Sequence, residues 1–158
     1  MNGRNDTIDL NDEKITTSIE QMDNGDTKVK MTASDGSYYC RTAASSHGGW
    51  QNSHVHVNVT EFYVVQSGWI AYASLGEKQL PTIEIMKEGE LVVVEPGTKH
   101  NIYMSAHSVI HTIKHGPETY SDWIASPELD QLTKSLTQED ILRRSIDKQP
   151  GVQNTQKR

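Results

Sequence analysis

Between Thr27 and Ser126 the chain is written in short runs of alternating apolar and polar residues. The runs are TKVKMTA, SYYCRTAAS, SHVHVNV, EFYVVQSG, WIAYASL, TIEIMKEG, ELVVVEPG, HNIYMS, SVIHTIKH and YSDWIAS. Asp35-Gly36, Gly68, Gly76, Gly89, Pro96-Gly97 and Gly116-Pro117 break them with residues that favour turns. Alternation of period two, broken at roughly 8–12-residue intervals, predicts an all-β sandwich or barrel. The flanks differ. In the first segment, residues 1–24, Ile15, Ile19 and Met22 recur at helical spacing behind a possible Asn11 cap, which predicts a short helix. Residues 25–125 form the barrel. In residues 126–148, Ser126 with Pro127 reads as a cap and first helical position, and Thr137 with Asp140 as a capping box. The polar stretch 149–158 is expected to be disordered.

Composition narrows the function. Among 158 residues, 21 acidic against 15 basic side chains give a net charge of −6, so nothing supports binding to nucleic acid or an anionic membrane. No apolar run reaches the ~18 residues of a membrane span, and the start of the chain lacks the apolar core of a secretory signal. The single cysteine, Cys40, excludes an internal disulfide and reads as strand filling. A cytoplasmic protein is the expectation.

Candidate chemistry concentrates in GGWQNSHVHVNVTEFYVVQSG and the later EPGTKH. His54 and His56 are two apart, so on a strand both imidazoles leave one face. A carboxylate and a third imidazole would complete a set of three histidines and one carboxylate for a divalent transition metal. With both histidines inward, strand parity turns Glu61, Tyr63 and Val65 inward, and His100 brings Ile102 and Met104. A cavity with a polar metal end and an apolar remainder follows. Tyr63 is the candidate proton-transferring residue, because a nearby cation would lower its pKa. His111 and His115 share a face four residues apart and could reach the interior, His111 as a second catalytic candidate. Lys114, of opposite parity, is expected outside. His47 and His107 read as turn histidines. Trp50, Trp69 and Trp123 read as core or interface anchors.

The first run resembles the first cupin motif, with Gly48, His54, His56, Glu61 and Gly68 at every defining position. The segment GELVVVEPGTKHNIYM resembles the second motif through Gly89, Gly97 and His100, with proline displaced to Pro96 and Met104 in the place of the final asparagine. The resemblance implies a double-stranded β-helix, or jelly-roll barrel, with short flanking helices at both ends. It implies one divalent metal (Fe, Mn, Ni, Zn or Cu) on His54, His56, Glu61 and His100, and a homodimer joined through the Thr27–Ser45 strands and residues such as Phe62. The expected function is a metal-dependent enzyme on a small polar metabolite, with sugar or sugar-acid isomerase or epimerase chemistry ahead. The alternatives are a non-haem iron dioxygenase and a non-catalytic sensing cupin.

Overall fold

A computed structural model describes residues 5–10, 13–76, 80–117 and 122–147. The strands are β1 (Asn5–Leu10), β2 (Glu13–Gln21), β3 (Thr27–Ala33), β4 (Tyr38–Ala43), β5 (Gly49–Trp50), β6 (His54–His56) and β7 (Thr60–Ser67). They continue with β8 (Trp69–Leu75), β9 (Pro81–Lys87), β10 (Leu91–Val94), β11 (His100–Met104), β12 (Val109–His115) and β13 (Trp123–Ala125). Two helices follow, α1 (Pro127–Thr133) and α2 (Gln138–Asp147). One sheet runs β1-β2-β3-β4-β12-β7-β10 and the other β13-β6-β11-β8-β9, with β5 on β11, and every pairing is antiparallel.

The inner faces of the two sheets meet in a cluster that includes Tyr63, Val65, Ile70, Ile102, Met104 and Ile110. Each fully buried aliphatic chain among them contributes about 1.5–3 kcal/mol. The outer face of the smaller sheet carries Ala71, Ala73 and Tyr103, and Ile141 of α2 packs there with Trp50 and Trp69. The capping box forms as read, with Thr137 Oγ1 accepting from the Asp140 amide at 3.2 Å and Asp140 Oδ2 accepting from the Thr137 amide at 2.9 Å. Ser126 occupies the cap position of α1 ahead of Pro127, but its side chain makes no capping hydrogen bond.

The predicted N-terminal helix is absent: Ile15 and Ile19 sit in β2, which pairs with β1 and β3. A spacing of four satisfies both the helical and the strand period, and the β-branched pair Thr16-Thr17 favours the strand. Helices therefore flank the barrel at its C-terminal side only, among the described residues. Asn11 and the tail 149–158 lie outside the described residues. The Thr27–Ser45 strands, expected to offer a dimer interface, are paired within the chain between β2 and β12. What they leave open is an outer face, where Met31 is 44% exposed. No helix among the described residues is long and apolar enough to cross a membrane.

Candidate metal centre

Two glycines fix the approach to the site. Gly48 has φ +63°, and a Cβ there would stand 2.4 Å from the Met104 carbonyl oxygen, so only glycine lets the chain close against the end of β11. Glu95-Pro96-Gly97-Thr98 is a tight turn closed by the Thr98 amide on the Glu95 carbonyl at 3.2 Å, with Gly97 at φ +82° in its third position. The Gly97 amide donates to the His56 carbonyl at 2.7 Å, which ties the turn before His100 to the strand carrying His54 and His56. Register completes the assembly, because His100 pairs directly with His54.

The structure brings three of the four residues into one group, and His56 stands beside it with Nε2 3.7 Å from Glu61 Oε2. His54, Glu61 and His100 present ligand atoms that all lie within 4.8 Å of one another. Glu61 Oε2 is the focus: His100 Nε2 is 2.9 Å from it, His54 Nε2 3.6 Å and His56 Nε2 3.7 Å. Each imidazole is held by its other nitrogen. Nδ1 of His54 meets the Asn52 carbonyl at 2.9 Å, that of His100 the Thr98 carbonyl at 2.9 Å, and that of His56 Asp122 Oδ2 at 2.8 Å. An acceptor at Nδ1 keeps the proton there and turns the Nε2 lone pair into the site. His56 Nε2 is buried and has no hydrogen-bond partner. An orphaned buried nitrogen facing a carboxylate and two further imidazoles fits a divalent metal.

The electrostatics agree with that donor set. Burial opposes ionisation of Glu61, yet the His100 and His54 imidazoles beside it outweigh burial and hold its carboxyl well below the usual range. Burial, followed by the charge of Lys114, pulls His56 below 6.5 against the opposing pull of Glu61 and Asp122, which favours the neutral imidazole a metal requires. Tyr63 Oη donates to Glu61 Oε2 at 2.8 Å and lies 3.2 Å from His100 Nε2. Its burial and the Glu61 carboxylate push the phenol well above its ordinary value. The protein's own neighbours thus favour a retained proton on Tyr63.

A cavity of about 240 Å³ opens from this centre. Tyr63, Ile102 and Met104 line it as parity predicted, but so do Lys28, Cys40, Thr42, Thr112 and Lys114, so its remainder is more polar than expected. His111 does not reach it. Thr112 pairs with Tyr63 and Lys114 with Glu61, so the inward set of β12 is Ile110, Thr112 and Lys114. His111 faces outward, with Nδ1 2.8 Å from Tyr39 Oη and Nε2 2.9 Å from Gln66 Oε1, and His115 is exposed. Apolar residues occur at both parities of VIHTIKH, so alternation alone left the facing of β12 open; pairing with Glu61 and Tyr63 decides it. Trp123 is also corrected: it stacks on His54 at 5.4 Å and lines the cavity, whereas Trp50 and Trp69 pack on Tyr103. Asp122 went unremarked in the sequence, and no spacing relates it to His56, 66 residues away.

No protein-family model and no curated protein matches this sequence. Solved structures do. Oxalate decarboxylase from Bacillus subtilis aligns at 16% identity with a TM-score of 0.55, over 77% of this chain and 35% of that one. An RmlC-like cupin from Shewanella frigidimarina aligns at 15% identity and a TM-score of 0.53, over 66% of this chain and 86% of that one.

The fold is that of a cupin.

The same cupin architecture aligns with Drosophila melanogaster CENP-C, solved bound to CAL1, at 16% identity and a TM-score of 0.51, over 61% of this chain and 78% of that one. Cupin folds in this set thus include a decarboxylase and a protein that binds another protein, and the fold alone does not choose between catalysis and binding.

Proposed function

We propose that this chain is a metal-dependent cupin enzyme that acts on a small polar metabolite. The observation that carries the reading is the anchoring of three imidazoles by Nδ1 while Nε2 of each turns toward Glu61 Oε2. His54, His56, Glu61 and His100 would hold the metal, and Asp122 would orient His56. When bound, a divalent metal supplies Lewis-acid polarisation of a substrate oxygen. The residues around it do the rest. Tyr63 Oη holds a proton beside Glu61 at the inner end of the cavity, within reach of a bound substrate. Trp123, stacked on His54, forms part of the cavity wall beside that imidazole.

Isomerase or epimerase chemistry on a hydroxylated substrate is the favoured form, because Thr42, Gln51, Asn52 and Thr112 line the cavity with hydrogen-bonding groups. The oxygen-dependent alternative would favour an apolar pocket; Met104 does line the cavity, but Val65 is packed in the core cluster. A metabolite panel run with a redox-inert metal under nitrogen tests the choice. Anaerobic turnover is the expected result; turnover only with iron and oxygen overturns it, and binding without turnover under either condition favours the sensing cupin. Tyr63→Phe is expected to slow turnover by roughly 10²-fold with metal content intact.

The reading includes a homodimer joined through the outer face of the larger sheet, where Met31, Val93 and Ile113 are exposed. Light scattering that returns the mass of two chains supports it, and the mass of one overturns it.

A further inference from the structure

Gln51 and Asn52 line the cavity from the short loop between β5 and β6, and the backbone of that loop is clamped. The Gln51 amide donates to the Ile102 carbonyl at 2.9 Å, and the Gln51 carbonyl accepts from Asn101 Nδ2 at 3.0 Å. The Ser53 amide donates to Asp130 Oδ1 at 2.9 Å. The two side chains are held as well, each by one charged group. Gln51 Nε2 donates to Asp26 Oδ2 at 3.0 Å, and Asn52 Oδ1 accepts from Lys134 Nζ at 2.8 Å. A carboxylate only accepts and an ammonium only donates, so neither carboxamide can turn over without setting like against like. The two holders are fixed in turn. Asp26 is 1% exposed and also accepts from the Ser45 amide at 2.9 Å and from Asn24 Nδ2 at 2.8 Å. Lys134, just past α1, is tied to Asp130 Oδ2 at 3.2 Å. What remains is one acceptor, Gln51 Oε1, and one donor, Asn52 Nδ2, on consecutive residues of the cavity wall. Neither atom has a partner among the described residues.

We infer that Gln51 Oε1 and Asn52 Nδ2 are the specificity-determining pair of this cavity and read hydroxyl groups of the ligand, with Asp26 and Lys134 as the positioning residues that set their polarity. A hydroxyl carries one proton to donate and lone pairs to accept, so a hydroxyl or two adjacent ones satisfy both ends. An ether, carbonyl or carboxylate oxygen only accepts and leaves Gln51 Oε1 unmatched. An ammonium only donates and meets Asn52 Nδ2 donor to donor. Neither Asp26 nor Lys134 belongs to the cavity lining, so both act through the carboxamides they hold. The inference rests on the proposed function and narrows its substrate from polar metabolites in general to sugars and polyols with free hydroxyls at this wall.

Ligand-observed NMR titration of the zinc-loaded protein with erythritol, D-ribose and D-glucose tests this. At least one is expected to bind. Its deoxyfluoro analogues, one position at a time, keep the shape of the hydroxyl but have no proton to donate. At one position fluorine should weaken binding by about tenfold or more, and Gln51→Met should remove most of that penalty. Asn52→Asp keeps the bond to Lys134 and replaces the donor with an acceptor at an exposed position, so the fold is retained. It should raise the preference for an amino analogue over the parent hydroxyl compound by about tenfold or more at one position. Asp26→Asn and Lys134→Met should lower the hydroxyl preference by less, since each frees a carboxamide to turn. A purely structural role would lower binding of every analogue alike and leave these ratios unchanged. Zinc content is measured on every sample, so the two readings fail separately. Full zinc with no binding by any of the three compounds, with no fluorine penalty at any position, or with ratios unchanged in Gln51→Met and Asn52→Asp, overturns the inference and leaves the metal reading standing. Absence of zinc uptake overturns the metal reading; the same ratios in that metal-free protein would still support the inference, and their absence there would overturn it.

Discussion

The two faces of the larger sheet put histidines to opposite uses. On the inner side Glu61 of β7 faces His54, His56 and His100, each anchored through Nδ1 and each presenting Nε2 to one carboxylate oxygen. On the outer side, one strand away, His111 has Tyr39 on one nitrogen and Gln66 on the other. Its ring is stacked on Tyr39 and both nitrogens are satisfied by the protein. The residue type is the same; what differs is what the second nitrogen faces. A histidine becomes a candidate ligand when that nitrogen converges with others on one buried carboxylate, and a structural element when separate neutral side chains satisfy both nitrogens.

The comparison breaks most visibly if a ligand is removed. His56→Ala is expected to weaken metal binding by more than roughly 100-fold, measured by competition with a chelator. Unchanged affinity would mean that its orphaned nitrogen serves no metal. Next in size is the anchor. Asp122→Asn keeps the shape but removes the charge that holds the His56 Nδ1 proton, and a loss of roughly 10-fold in metal affinity is expected, within the range for such partners. An effect of Asp122→Asn equal to that of His56→Ala would show a direct ligand instead.

Acidification sharpens the contrast further. His56 and Glu61 both have depressed folded-state pKa values, so their contribution to stability is complete above the unfolded values of 6.5 and 4.5. It is lost as pH falls through the lower folded values, because the unfolded chain then binds more protons. The melting temperature of the metal-free protein should fall on going from pH 7 to pH 4, and His56→Ala should flatten the upper part of that fall. A melting temperature that rises over this range contradicts the burial of neutral His56. The smallest effect belongs to the outer face. His111→Gln should leave metal content unchanged and shift stability by about 1 kcal/mol or less, measured by urea unfolding.

The barrel was legible in the sequence because alternation and turn residues act locally, and the runs from TKVKMTA to SVIHTIKH each contain a strand of the structure. The four candidate ligands were legible because their spacing on β6, β7 and β11 sets which face each side chain takes. Three things were not. Ile15 and Ile19 fit the helical and the strand period alike, and only pairing with β1 and β3 separates them. The inward facing of Lys114 and the outward facing of His111 depend on the register of β12 against β7, which carries an irregularity between Val109 and Ile110. Asp122 is invisible for a related reason: its link to His56 spans 66 residues and arises only when β13 pairs with β6.

Metal stoichiometry tests the central claim most directly. The protein is stripped with a chelator, dialysed against excess zinc or manganese, freed of unbound ion and analysed for metal and protein together. About one equivalent per chain is the predicted result, falling to near zero in His56→Ala while His111→Gln stays at one. Less than about a tenth of an equivalent in the unaltered protein with either metal would contradict it.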